Sequence, residues 1–273
     1  MRAPLIVLGI GAAGLLLALA TRQSDPESPL TPEPPRAGEG SCPAGSDDAG
    51  LGPDMLRVPE GFCIDKTEVT RAQYAAWLDT SPSTSGQSSA CASNDGFTPS
   101  CGWPAGSDGE KPVVCVDWCD ASAFCEAAGK RLCGKVGDGG PYAFEDYDDP
   151  AQSEWFAACT SGGKYDYTYG STLDTSVCRD ADADDYTQWG LADVGSFPDC
   201  HSPDAAYSKL YDLSGHVAEW DQGCQSDDPE APCRIRGGSY QHHAHGLRCD
   251  MGRALEWPRT RQVESVGFRC CAD

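Results

Sequence analysis

Three of the five histidines in this 273-residue chain lie within four positions, at His242, His243 and His245. Imidazole suits copper, iron and zinc, so the cluster could hold a transition metal. In an extended segment His243 and His245 share a face and His242 points to the other, so two at most converge without a turn. The alternative is an exposed polar loop. Gly237 and Gly238 precede the cluster, and paired glycines let the backbone pass close to another part of the molecule.

A second candidate site consists of two carboxylates, Asp212 and Glu219, seven positions apart around Gly215. Calcium takes several hard oxygen ligands from carboxylates and backbone carbonyls in a flexible loop. From the spacing alone, a turn with Glu219 solvated or paired to an arginine is the simpler interpretation. The acidic run at residues 145–149 is typical of a solvated loop, and no paired base stands out for general acid–base hydrolysis.

The chain has sixteen cysteines and a formal net charge of -22. So many cysteines favour an oxidising compartment, and the even number permits eight disulfides. Zinc is the alternative, but its nearest fit is Cys115, Cys119 and Cys125, and there is no Cys-x-x-Cys pair. A crosslink between Cys91 and Cys101 would order the long loop at residues 79–110. The charge disfavours nucleic acid and anionic lipid and suits solubility and cation binding.

The chain divides into three regions. Residues 1–20 are apolar after Arg2 and end in Ala18-Leu19-Ala20, which predicts a secretory signal peptide; an uncleaved membrane anchor is the alternative. Residues 21–41 are proline-rich and predict a disordered linker. Residues 42–273 contain no internal repeat and no second apolar core, so they are expected to form one domain. The predicted location is extracytoplasmic: secreted, periplasmic or at the cell surface.

Regular secondary structure is expected to be sparse, because glycine is frequent and long apolar runs are absent after residue 20. Thr70 and Gln73 form a capping-box pattern that predicts a helix presenting Tyr74, Trp77 and Leu78 on one face. A second helix is expected around Phe124, ending at Gly129.

Five segments, in order over about 210 residues, resemble the formylglycine-generating enzyme (sulfatase-modifying factor) family. They are Phe62-Cys63-Ile64-Asp65 with Glu68-Val69-Thr70 and Gln73-Tyr74; Pro112-Val113 with Trp118, Asp120-Ala121 and Gly129-Lys130-Arg131-Leu132; Glu154-Trp155 with Ala157-Ala158; Val194-Gly195-Ser196-Phe197-Pro198 with Leu210-Tyr211-Asp212-Leu213-Ser214-Gly215-His216-Val217-Ala218-Glu219-Trp220; and Arg236-Gly237-Gly238-Ser239-Tyr240 with Gly267-Phe268-Arg269. The resemblance implies an α+β fold, a loop-rich variant of the C-type lectin-like fold.

The resemblance also implies structural calcium. Its metal loop falls on the fourth segment, with side-chain oxygens from Asp212 and Glu219 and carbonyl oxygens from Gly215 and Val217. A further calcium site is expected within residues 176–195. Asp180, Asp182, Asp184 and Asp185 lie in that stretch, without a pattern that assigns ligands.

Active members of the family oxidise a sulfatase cysteine to formylglycine with oxygen and copper. They use two cysteines of their own, the first three residues after the serine of Gly-Gly-Ser and the second five residues further on. Thiolates select Cu(I), so this chemistry needs sulfur at both places. Here those positions are His242 and Leu247, counted from Ser239. Cys249 lies two residues too late and is expected in a disulfide with Cys270 or Cys271.

The sequence therefore predicts a calcium-stabilised family domain without formylglycine-generating activity, which binds an unidentified protein or small molecule. Nucleic acid is not an expected partner, and membrane contact would come only through an uncleaved N-terminal segment. The alternative is a related metal-dependent oxidoreductase that holds copper or iron on the loop containing His242, His243 and His245. Iron-dependent relatives take histidines from an extra helical domain, for which this chain has no room.

Overall fold

The computed structural model describes residues 41–45, 50–181, 190–251 and 256–273. The predicted signal peptide and nearly all of the predicted linker lie outside these ranges. The described elements are β1 Met55–Arg57, β2 Cys63–Asp65, α1 Arg71–Leu78, α2 Trp118–Ala127, β3 Arg131–Leu132, α3 Glu154–Cys159, β4 Ala218–Cys224, β5 Pro232–Arg236, β6 Glu256–Pro258, β7 Val266–Phe268 and β8 Cys270–Ala272. Within the described ranges, no helix is long and apolar enough to cross a membrane.

The strands form two four-stranded sheets that are joined near the C-terminus. The first sheet has the order β1-β2-β8-β3, and the second has the order β6-β5-β4-β7. All pairings are antiparallel except β4 with β7. Strands β7 and β8 are separated by one residue, Arg269, which is fully buried. The chain thus passes from one sheet to the other through an arginine that must be paired inside the protein.

Two helices begin at capping boxes. At α1, Gln73 N–H donates to the Thr70 side chain and Thr70 N–H donates to the Gln73 side chain, as predicted. Asp117 and Asp120 form the same reciprocal pair at α2. The two helices meet at their aromatic residues, because Phe124 stacks on Tyr74 with ring centroids 5.5 Å apart. These caps satisfy backbone N–H groups that a helix leaves unpaired at its first turn.

All sixteen cysteines lie in described residues and form eight disulfides, so none is free for zinc. The predicted Cys91–Cys101 bond is wrong, because each of these residues bonds to the segment that follows the loop. The predicted partners of Cys249 are also wrong, because Cys249 bonds to Cys159 at the end of α3. The pairs are Cys42–Cys63, Cys91–Cys119, Cys101–Cys115, Cys125–Cys270, Cys133–Cys271, Cys159–Cys249, Cys178–Cys200 and Cys224–Cys233. Bonds closing loops of order 100 residues contribute about 4–5 kcal/mol each in the chain-entropy account.

Candidate functional site

The chain leaves β5 through two glycines whose backbone conformation other residues rarely adopt. Gly237 has φ +81° and Gly238 has φ +70°. A Cβ on Gly237 would lie 2.7 Å from the carbonyl oxygen of Leu213, and one on Gly238 would lie 2.1 Å from that of Gly246. The glycines therefore let the strand end pass close to two other backbone segments, as the sequence predicted.

His242 is folded back onto Ser239. Its Nδ1 lies 3.1 Å from the Ser239 backbone nitrogen and 2.9 Å from Ser239 Oγ. Because a backbone N–H can only donate, Nδ1 must accept, and the ring proton of the neutral imidazole is on Nε2. Burial, with a contribution from His243, lowers the pKa of His242. The imidazole therefore serves as a neutral hydrogen-bond acceptor that holds the start of the loop.

The other residues of the histidine cluster do not converge with His242. His243 and His245 are exposed, and residues Ala244–Leu247 form a short 3-10 helix. Leu247 is buried, and a Cβ built on Gly238 would lie 3.4 Å from its Cδ2. Across the described ranges, one group of three potential metal ligands has donor atoms within 4.8 Å of one another, and it contains none of these histidines.

Glu219 of β4 is occupied by hydrogen bonds from within the protein. The Nε and Nη2 atoms of Arg269 donate to its two oxygens at 2.8–2.9 Å, and Trp155 Nε1 donates to Oε2 at 2.8 Å. All three side chains are buried. Burial raises the pKa of Glu219, and the charge of Arg269 opposes that rise. This is the arginine-paired arrangement that the spacing alone favoured.

The calcium set that the resemblance implies does not fit this arrangement. Asp212 has a buried oxygen, Oδ1, without a hydrogen-bond partner, which is suitable for a cation. Glu219 would have to leave Arg269 and Trp155 to supply another. Gly215 and Val217 lie in the turn between them, with Val217 buried and Gly215 at φ +91°. Of the four carboxylates named for the further calcium site, Asp180 is buried, whereas Asp182, Asp184 and Asp185 lie outside the described residues.

The group that does converge is Glu68, Asp212 and His216, all at most 1 % exposed. His216 Nδ1 lies 2.9 Å from Glu68 Oε1 and 4.0 Å from Asp212 Oδ2, which also accepts from Gly195 N–H. Burial lowers the pKa of His216, but the Glu68 and Asp212 carboxylates outweigh it and raise it to about 9. Burial, together with Glu68, raises the pKa of Asp212 to about 7.

Sequence reasoning missed this group although all three residues lie within the family segments. Glu68 is separated from His216 by 148 positions, so no local spacing connects them. Asp212 and His216 are four positions apart, and that pair of ligand types was the available signal.

A surface cavity of about 490 Å³ was also not predicted. Its wall includes Tyr169, Leu173, Asp174, Val177 and His201. Leu173 is the one large hydrophobic side chain in the described residues that is clearly exposed, at 39 %. The residues come from two separate loops without regular spacing, so the sequence carried no pattern for this cavity.

Comparison with known proteins agrees with the fold. The model of the sulfatase-modifying factor enzyme 1-like domain matches residues 32–273. The crystal structure of CarF has a TM-score of 0.52 at 21 % identity, covering 82 % of this chain and 96 % of that one. This likeness shows the fold, and it confirms the predicted α+β, loop-rich, C-type lectin-like architecture.

Two mouse proteins are similar in sequence. Inactive C-alpha-formylglycine-generating enzyme 2 of Mus musculus is 27 % identical over 174 residues, which cover 60 % of this chain and 49 % of that protein. Formylglycine-generating enzyme of Mus musculus is 28 % identical over 190 residues, which cover 59 % of this chain and 44 % of that protein. The chain therefore spans about half the length of these curated relatives. With the family model matching nearly its whole length, the chain belongs to the formylglycine-generating enzyme (sulfatase-modifying factor) family.

Proposed function

We propose that this chain does not generate formylglycine and instead acts as a binding module in an oxidising, extracytoplasmic compartment. The observation that carries this proposal is that every cysteine is in a disulfide, so no thiolate is left to bind Cu(I). The two positions where the resemblance requires cysteine hold His242, whose Nδ1 is bonded to Ser239, and Leu247, which has no donor atom.

Two other facts support the same proposal. The eight disulfides are typical of proteins that fold outside a reducing cytosol. One of the similar mouse proteins is named as an inactive form, so loss of the activity has a counterpart among proteins like this chain. Calcium is not part of the proposal, because Glu219 is held by Arg269 and Trp155.

The proposed binding surface is the 490 Å³ cavity at residues 169–177 and 199–203. It combines an aromatic ring, an exposed leucine and the carboxylates of Asp174 and Asp199. Such a wall suits a protein segment or small molecule that carries both an apolar group and a positive charge. The chain's negative charge favours the same class of ligand.

Activity is tested by incubating the purified full chain with Cu(I), oxygen and a cysteine-containing sulfatase peptide, with mouse formylglycine-generating enzyme as the positive control. We expect mass spectrometry to show no aldehyde-containing peptide above the level of a no-enzyme blank. Aldehyde formation at a rate that depends on the chain would overturn the proposal.

The binding surface is tested by selecting a peptide library on the wild-type chain and counter-selecting on Leu173→Asp. We expect the selected peptides to combine basic and apolar residues and to bind wild type more tightly. If no selected peptide distinguishes the two proteins, the cavity is not the binding surface.

A further inference from the structure

The Glu68, Asp212 and His216 group contains two buried oxygen atoms that nothing in the described part of the protein satisfies. Glu68 Oε2 and Asp212 Oδ1 have no hydrogen-bond partner. Leaving a buried charged group unsatisfied costs roughly 1–3 kcal/mol or more. The nearby guanidinium of Arg269 does not hydrogen-bond to them, because its hydrogen bonds go to Glu219 and to backbone carbonyls of Asp65 and Tyr211. These two buried carboxylate oxygens are therefore available to bind a cation.

The backbone at this group is in a conformation that side chains rarely adopt. Asp212 has φ +64° and His216 has φ +60°. A non-glycine residue in the left-handed region carries a conformational cost of order 1–3 kcal/mol and is concentrated at functional sites. Here the unfavourable turn directs both side chains toward Glu68, which comes from the segment before α1.

We propose that Glu68, Asp212 and His216 bind a first-row divalent transition metal, with zinc as the principal candidate. The donors would be a carboxylate oxygen of Glu68, a carboxylate oxygen of Asp212 and Nδ1 of His216. A divalent ion with a neutral imidazole balances the two carboxylates, since Arg269 is already paired with Glu219. This site shares Asp212 with the calcium set considered above and excludes Glu219, and it does not depend on the proposed function.

The separations between His216 Nδ1 and the two carboxylates are compatible with such an ion. Zinc lies about 2.0–2.2 Å from nitrogen and oxygen ligands, so two of its ligands are at most about 4.3 Å apart. The separations of Nδ1 from Glu68 Oε1 and Asp212 Oδ2, 2.9 and 4.0 Å, are within that limit. On the far side of the ring, Nε2 lies 3.1 Å from the Ala192 carbonyl oxygen and 3.2 Å from the Ala192 backbone nitrogen. In the metal-bound form the ring proton would be on Nε2 and would be donated to that carbonyl oxygen, which leaves Nδ1 for the metal.

The donor set discriminates between metals. An imidazole nitrogen beside two carboxylates suits zinc and neighbouring transition metals, whereas calcium takes oxygen ligands. The exposed histidines His243 and His245 are the competing place for zinc on this chain. A test must therefore distinguish zinc at the buried group from zinc at the loop that contains His242, His243 and His245, here called the histidine loop.

The test is the zinc content of the full chain, produced with added zinc, desalted and measured by elemental analysis on protein whose fold is checked by circular dichroism. We expect about one zinc per chain for wild type and for the His243→Ala/His245→Ala control, and below about 0.1 for Glu68→Gln and His216→Gln. Zinc-free wild type, or equal zinc in wild type and Glu68→Gln, would overturn the site.

A measurement on wild type alone covers the case in which the variants do not fold. X-ray absorption at the zinc edge is expected to show one imidazole with oxygen ligands. Two or three imidazoles would place the metal on the histidine loop, and displacement of zinc by an equal concentration of calcium would mean an oxygen-only site. Either result would contradict the proposal.

Discussion

The histidine loop and the buried group at Glu68 illustrate opposite relations between sequence and site. The loop concentrates His242, His243 and His245 within four positions, yet its first imidazole accepts hydrogen bonds from Ser239 and the other two are exposed. The buried group takes one residue from before α1 and two from the turn before β4, and its donor atoms lie within 4.8 Å. Several potential ligands close together in sequence are therefore a poor guide to side chains that meet in the fold. Buried donors and acceptors without hydrogen-bond partners are a better guide.

The largest expected difference between the two regions comes from their arginines. Arg269→Met leaves Glu219 as a buried charge beside the Glu68 group, so we expect a loss of about 3–5 kcal/mol in unfolding free energy. Arg248→Met, near the histidine loop, breaks partly exposed pairs with Asp166 and Asp250, and we expect at most about 1 kcal/mol. Urea denaturation measures both. Equal losses would show that burial does not distinguish the two pairs.

A glycine pair tests how tightly the loop is enclosed. Gly238→Ala places a Cβ 2.1 Å from the Gly246 carbonyl oxygen at a positive φ. Gly61→Ala also has a positive φ, but nothing lies within 4 Å of its Cβ. We expect Gly238→Ala to destabilise by about 2 kcal/mol more than the Gly61→Ala control in thermal unfolding, since only the first adds overlap to strain. Similar melting temperatures would mean that the loop moves aside.

His216 and His242 are expected to differ in protonation state. In metal-free protein we expect nitrogen-detected NMR to show His216 as a cation below about pH 9 and His242 as the neutral Nε2–H form at neutral pH. Because the pKa of His216 is raised in the folded state, protonation of His216 stabilises the fold. This stabilisation is fully present below the unfolded-state pKa of about 6.5 and is lost as pH rises through 9. The lowered pKa of His242 has the opposite effect: folding favours the neutral imidazole, so its contribution to stability is lost as pH falls. If His216 and His242 titrated with the same midpoint, the expected difference between them would be contradicted.

How far the sequence could predict each part depends on distance along the chain. The capping box of Thr70 and Gln73 was predictable because both partners lie within one turn. The need for Gly237 and Gly238 followed from residue type alone. The pairing of Glu219 was open, because its arginine lies 50 positions away and comes close only when β4 and β7 align. The Cys159–Cys249 bond spans 90 positions and was mispredicted for the same reason.

The smallest expected effect concerns the hydrogen bond between His242 Nδ1 and Ser239 Oγ. Ser239→Ala removes the Oγ contact with Nδ1 and keeps the backbone N–H contact, so we expect about 1 kcal/mol of destabilisation. Ser171→Ala, at an exposed position, is the control and should change stability by less than about 0.5 kcal/mol. A double-mutant cycle with His242→Ala then isolates the coupling between the two side chains. No coupling would mean that the backbone N–H contact of Ser239 alone holds the imidazole.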